Sequence, residues 1–458
     1  MAELKKRYGL VTAICMVVGI VIGSGVFFKA EKILTVTGGD VGTAIFAWAC
    51  GGCIMIICAY AFSVMAGKYR KINGLVDYGE AVIGEKFAFF IGWFNTTIYL
   101  PSLTMTLAWL SARYFGELFG WSMTGPEVML LSGLMIIGSF TLNVLSPKMA
   151  GRFQVSTTAI KLVPLLLMGI VGVAVGLKNG TLVENFTAAP TLEQLQGVLG
   201  ADYQFNSSPL FTALCATAFA YEGWIVATSI NAEIKDAKKN LPRALIIGSL
   251  SIVVIYILYY LGISGSVKTT DLLQHGAMYA FQQTFGETAG VIITVFIAIS
   301  CMGTLNGLVL GCSRSAYSLA VRKEGFAPHI FSQLDEKTNV PTNSAFIGML
   351  FSILWLVYFY GSNFAATPWF GPIRFDPTEL PVITLFAFYF PVYIGFMIKG
   401  KGFSTFKRII AQGLAAAGSI FMIVASVFSH GVENVLWYLL VFAVIMIIGI
   451  FFMRKKKK

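Results

Sequence analysis

The stretch that decides the fold is Val18-Gly19-Ile20-Val21-Ile22-Gly23-Ser24-Gly25-Val26-Phe27. It lies in an apolar run long enough to cross a bilayer, yet it holds three glycines in seven residues, which are poor helix formers. A second interruption, Phe219-Ala220-Tyr221-Glu222-Gly223-Trp224, sets a carboxylate beside a glycine in another apolar run. Glycine in a membrane helix often serves close packing alone. Two breaks five helices apart, each in the first helix of a possible five-helix half, point instead to a transport site between inverted repeats.

The rest of the chain agrees with a membrane setting. Of 458 residues, 57% are hydrophobic and 12% charged, where a soluble domain carries about 25% charged residues. Twelve apolar runs fall at 9–34, 41–66, 87–116, 126–146, 153–177, 209–234, 241–266, 288–320, 342–360, 379–398, 405–428 and 433–453. Runs of this length span as helices, because lipid satisfies no backbone hydrogen bonds. The expected fold class is therefore an all-α polytopic membrane protein of twelve transmembrane helices.

The net charge of +11 does not indicate nucleic-acid binding, since the bases lie in short clusters between apolar runs. With the N-terminus inside, 25 of the 33 Lys and Arg fall on the cytoplasmic side and six on the other. This alternation predicts both termini in the cytoplasm. The run after Lys5, Lys6 and Arg7 continues to Leu34, too long for a cleaved leader. Lys455–Lys458 reads as an anchor to anionic lipid. The seven cysteines all fall in apolar segments, and Cys50-x-x-Cys53 has apolar flanks, so no metal or redox cofactor is expected. His275, His329 and His430 lie near span ends, and no HExxH or GxSxG motif occurs, so no catalytic residues are assigned.

The breaks supply a specific chemistry. A half-helix that begins at a break presents unpaired N–H groups and partial positive charge. Those of Ser24, Gly25 and Val26 suit a carboxylate. A half-helix that ends at a break presents carbonyls, and those of Val18, Gly19 and Phe219 to Tyr221 suit an ammonium group. An α-amino acid carries both groups one carbon apart. The expected substrate-binding set is Gly19, Ile20, Gly23, Ser24, Gly25, Phe219, Ala220, Tyr221 and Glu222. Charges within spans are costly and need a reason. Arg314, in the eighth run, reads as snorkelling or bound to carbonyls. Lys161, deep in the fifth, reads either as a proton switch or as a permanently charged tether between the breaks. Glu222 is the one acid deep in a span, and serves the bend or a cation. Thr304 and Asn306 are the candidates for contact with Lys161.

These residues resemble the amino acid–polyamine–organocation (APC) superfamily over essentially the whole chain. Gly19–Phe27 looks like its G-x-x-IGSGIF signature. Glu233-Ile234-Lys235-Asp236 with Asn240-Leu241-Pro242-Arg243-Ala244 is similar to the segment after its sixth helix. Ser313–Ala320, Glu324–Pro328 and Val340-Pro341 resemble the loop after its eighth. Phe219-Ala220-Tyr221 with Gly223-Trp224, and the lysine of the fifth helix, look like the bacterial type of the L-type amino acid transporter (LAT) branch. The resemblance implies a five-plus-five inverted repeat with discontinuous helices 1 and 6: residues 1–178 and 179–398, then 399–458 as two further helices and a basic tail. It implies carriage of neutral L-amino acids by alternating access in the cell membrane, small ones favoured, by sodium-independent exchange; proton-coupled uptake, or a carrier for cationic amino acids or polyamines, is the alternative. It also implies that Phe219 is a lid and that Lys161 joins the first and eighth helices. The segment Tyr114 to Pro126 lacks the cysteine by which animal LAT proteins bond a heavy subunit, so no such partner is expected. Many animal members have glycine where this chain has Glu222, which bears on the pocket's size and polarity.

Overall fold

The computed structural model describes residues 5–23, 25–69 and 73–453. Ser24, Arg70, Lys71 and the tail from Arg454 to Lys458 therefore lie outside the described residues. Every long element is a helix, and among the described residues the one strand-like pairing is a parallel bridge of Tyr8 with Ile234. Among the described residues eleven helices are long and apolar enough to cross a membrane.

The twelfth expected run, the third in order, is helical but differs in character. It comprises Glu85–Phe94, one π-helical turn at Asn95–Tyr99, and Leu100–Glu117. Thr96, Thr97, Ser102, Thr104 and Thr106 are all buried in it. The hydroxyls of Thr96 and Thr97 donate to the carbonyls of Gly92 and Trp93 at 2.7 and 2.8 Å. A span enclosed by protein needs no apolar surface toward lipid, so it can carry hydroxyls that satisfy themselves on the preceding turn. The last span, Val432–Ile450, is the opposite case. Leu436, Leu440, Val444 and Ile447 are all exposed on it, the stripe of a lipid-facing helix.

The first span is two half-helices, Leu10–Val21 and Gly25–Val36. The sixth is Pro209–Ala220, a turn, and then Trp224–Glu233, which is 3₁₀ rather than α-helical and kinked at Ile230. Gly223, at φ +105°, makes that turn in a conformation that side chains with a Cβ rarely adopt. The fifth span, Pro147–Asn179, starts six residues before the apolar run and takes Lys148 and Arg152 into its first turns. It packs on the seventh, Ala237–Ser266, through bare backbone: a Cβ on Gly172 would stand 2.4 Å from the Gly262 carbonyl oxygen. The eighth span is Thr288–Ala320 and the tenth Leu380–Lys399. The polar segment 178–208 holds two short helices, Thr181–Thr187 and Leu192–Leu199. Asn185 ties it down by donating to the carbonyls of Ser264 and Val267 at 2.7 and 2.8 Å.

Candidate substrate site and its gates

The two breaks face each other over a cavity of about 30 Å³. Ile20, Val21, Gly23 and Gly25 of the first span line it, with Phe219, Glu222 and Gly223 of the sixth. Leu103 and Leu107 of the third span and Thr304 and Leu308 of the eighth complete the wall. A volume near that of one water in the liquid cannot admit an amino acid, so the walls must part for a solute to enter.

Of the nine expected substrate-binding residues, Ile20, Gly23, Gly25, Phe219 and Glu222 reach the cavity; Ser24 lies outside the described residues. Gly19, Ala220 and Tyr221 do not line it. Gly19 turns to the fifth span, where a Cβ would strike the Thr158 hydroxyl at 2.2 Å. Ala220 is the contact between the breaks, its Cα 2.8 Å from where a Cβ on Gly25 would stand. Tyr221 points away: its hydroxyl donates to the Trp48 carbonyl at 3.0 Å, and its ring stacks on Tyr256.

Several carbonyls expected to receive an ammonium group are already engaged. Val18 accepts the Ile22 N–H at 2.8 Å, and Phe219 accepts the Glu222 N–H at 3.2 Å. The Tyr256 hydroxyl reaches the carbonyls of Val21 and Ala220 at 3.0 and 3.1 Å. Gly19 accepts both Lys161 and Thr304. At the other pole, Gly25 begins a twelve-residue half-helix whose first N–H groups have no intrahelical partner.

Lys161 is fully buried. Its Nζ donates to the carbonyls of Gly19 at 2.8 Å, Ile22 at 2.5 Å and Ser300 at 3.0 Å, and to the Thr304 hydroxyl at 3.2 Å. One amino group thus joins the fifth span to the first and the eighth. Asn306 corrects the expectation. It lies away from Lys161, donating to the Ala150 carbonyl at 3.1 Å and Gln154 Oε1 at 3.0 Å, and accepting from Asn143 at 2.9 Å. Its amide fits two neighbours on the fifth span, Gln154 and Ala150, two and three turns before Lys161.

Glu222 accepts a hydrogen bond from the Tyr99 hydroxyl, from the third span. Above Phe219 lies a charged cluster that the sequence reading missed. Lys29 stands 4.7 Å over the Phe219 ring centroid and pairs with Glu379, which Lys32 also reaches at 3.1 Å and His430 at 3.0 Å. Lys29 is 3% exposed and Glu379 2%. The available signal was position: Lys29 falls one turn past the first break. Cys215, Glu379 and His430 offer ligand atoms within 4.8 Å of one another. The Lys29 and Lys32 ammonium groups already more than balance the Glu379 charge, which disfavours a further cation there.

The opposite end is closed by the N-terminal segment. The N–H groups of Arg7 and Tyr8 donate to the Glu233 carbonyl at 2.8 and 3.0 Å, and Lys235 N–H returns to Tyr8 at 2.8 Å. Burial, and next the Glu233 carboxylate, push the Tyr8 hydroxyl up to about 12. Arg314 does not snorkel. It is 1% exposed, pairs with Glu233 and donates to the Leu310 carbonyl at 2.8 Å. Burial of Glu233 was hidden in the sequence by its place at the end of a span.

A helical membrane bundle whose first and sixth spans break opposite one another over an occluded cavity defines a class, the transporters with discontinuous helices. Within that class the chain belongs to the amino acid permease family, whose model matches residues 8–452. It is 31% identical over 324 residues to the serine/threonine exchanger SteT of Bacillus subtilis (strain 168), covering 70% of this chain and 69% of that one. It is 26% identical over 342 residues to the cystine/glutamate transporter of Homo sapiens, covering 74% and 65%. It is 28% identical over 345 residues to the b(0,+)-type amino acid transporter 1 of Oryctolagus cuniculus, covering 74% and 67%. In fold it matches a crystal structure of MhsT in complex with L-phenylalanine, with TM-score 0.58 and 12% identity, over 94% of this chain and 100% of that chain. Mhp1, a nucleobase-cation-symport-1 family transporter, gives TM-score 0.56 at 14% identity, over 98% and 96%. The protein is a multi-pass amino acid transporter of the APC superfamily, not an enzyme.

Proposed function

We propose that the protein exchanges small neutral L-amino acids, with serine, threonine, alanine and cysteine preferred, independently of sodium. The observation that carries this reading is the Lys161 ammonium between the first, fifth and eighth spans, with four oxygen acceptors. A fixed cation there does the tying that a sodium ion would do in a sodium-driven carrier. Resemblance to a serine/threonine exchanger supports the substrate class.

The substrate carboxylate lies at the N–H groups of Gly25 and Val26, with Ser24 beside them. With Gly19, Val18 and Phe219 engaged elsewhere, the ammonium meets the Ile20 carbonyl end and Glu222. The side chain then faces Leu103, Leu107 and Leu308, a wall suited to a small apolar or hydroxylated group. Phe219 closes over the solute, and the Lys29–Glu379 pair latches that lid. Access alternates by rocking of the first and sixth spans. The repeats are assigned to 1–178 and 179–398, with 399–458 added to them. Both termini lie in the cytoplasm of a plasma-membrane protein, and no disulfide-linked heavy subunit is required, consistent with the absence of cysteine from Tyr114 to Pro126.

Glu222 favours a second reading, carriage of cationic amino acids or polyamines, because it adds an acid to the ammonium end. Counterflow into proteoliposomes distinguishes the two. Serine should be exchanged for threonine or alanine equally well with sodium or choline outside, and with or without a pH gradient. Stronger competition by arginine or putrescine than by alanine would reverse the assignment, and strict dependence on sodium would refute the role given to Lys161.

A further inference from the structure

On the side of the N-terminal segment a cleft of about 1140 Å³ opens, away from the substrate cavity. It is bounded by the N-terminal segment, the elbow between the fourth and fifth spans, and the loops after the sixth and eighth. Lys5, Lys6 and Arg7 line it with Lys148, Arg152, Lys235 and Lys337, and no acidic residue does. Among the described residues no ion pair engages any of these seven bases. Of the two acids just before Lys337, Glu336 is exposed and does not line the cleft, and Asp335 is turned into its own loop, accepting from Lys337 N–H at 3.1 Å, Thr338 N–H at 2.7 Å and Thr338 Oγ1 at 2.9 Å. The cleft also receives the start of the 33-residue fifth helix, with Ser146, Pro147 and Lys148 in its wall. Its positive end adds to the field of the side chains.

With no carboxylate in the lining, the converging bases repel one another, and an anion among them relieves that repulsion. Leu145 in the cleft wall is 69% exposed, and Val11 and Met149 near it are 69% and 59% exposed. A basic pocket beside lipid-facing apolar side chains fits an anionic headgroup with its acyl chains alongside. We propose that the cleft binds a phosphate-bearing anion, and that this anion bridges the N-terminal segment to the elbow of the fifth span. The bridge holds Tyr8 in its pairing with Glu233 and Lys235, and so favours the state closed on that side. Binding itself does not depend on the substrate reading; any effect on exchange rests on it.

The test uses the full chain in phosphatidylcholine nanodiscs and follows the midpoint of thermal unfolding. One arm adds dioleoylphosphatidylglycerol to the nanodisc, and the other adds inorganic phosphate to the buffer. Lys148→Gln with Arg152→Gln removes two exposed bases of the cleft, and Lys401→Gln with Lys407→Gln removes two exposed bases away from it. Phosphatidylglycerol is expected to raise the midpoint of the unsubstituted protein and of the control variant, and the cleft variant should lose most of that rise. A rise produced by phosphate and lost in the cleft variant upholds the site and assigns a soluble source. No rise with either probe, a rise undiminished in the cleft variant, or an equal loss in the control variant overturns the proposal.

Discussion

Two buried lysines flank the cavity, and they are held in opposite ways. Lys161 meets four neutral oxygens, three of them carbonyls freed by the break in the first span or turned inward from the eighth. Lys29 meets a carboxylate, Glu379, and the face of Phe219. The first is a charge solvated by backbone, the second a charge cancelled by another. A carbonyl cage depends on the geometry of the breaks and loosens when they move. Direct charge pairing does not depend on the geometry of the breaks, and its cost appears when one partner is removed. Under the proposed function, the lysine held by the break's carbonyls is the one coupled to the transport cycle, and the paired lysine is the one that holds a closed state.

Substitutions can break this contrast. Glu379→Gln leaves Lys29 buried without its carboxylate, and should cost about 3–5 kcal/mol of stability, read from thermal or denaturant unfolding in detergent. Lys29→Met combined with Glu379→Leu should recover the part of that loss owed to Lys29, while Lys32 and His430 still go without their carboxylate. Lys161→Ala should reduce exchange at least tenfold, about 1.4 kcal/mol in the rate-limiting barrier, while the protein still inserts and folds. Unchanged exchange in proteoliposomes would remove Lys161 from the cycle and equate the two lysines. Phe219→Leu keeps an apolar lid but deletes the contact with Lys29, which should weaken the occluded state by about 0.5–2 kcal/mol, measured as faster solute release. Thr304→Val removes one of the four acceptors around Lys161. It should cost about 0.5–1.5 kcal/mol, and exchange should fall by roughly threefold to tenfold.

The broken spans were legible in sequence because glycine clusters act locally. Gly23 and Gly25 interrupt a helix through their own backbone freedom, and Gly223 next to Glu222 does so again in the sixth span. The order of spans was equally legible, since apolar length is a property of consecutive residues. The third span was read less well. Its π-helical turn and buried hydroxyls follow from being wrapped by other helices, which no run of residues records. Asn306 was assigned to Lys161 because both lie in mid-membrane, but depth does not fix the direction in which a side chain leaves its helix. Asn143 and Gln154, on two other spans, decided that direction.

By itself the sequence determined that this chain crosses a bilayer many times and breaks its first and sixth helices, because hydrophobic run length and backbone propensity are written residue by residue. Only the tertiary structure decided which polar groups meet: Lys161 with Gly19, Ile22 and Ser300, Lys29 with Glu379, Arg314 with Glu233. Those partners lie more than eighty residues apart, and a buried charge is satisfied by whatever the packing of distant helices brings within about 3 Å of it.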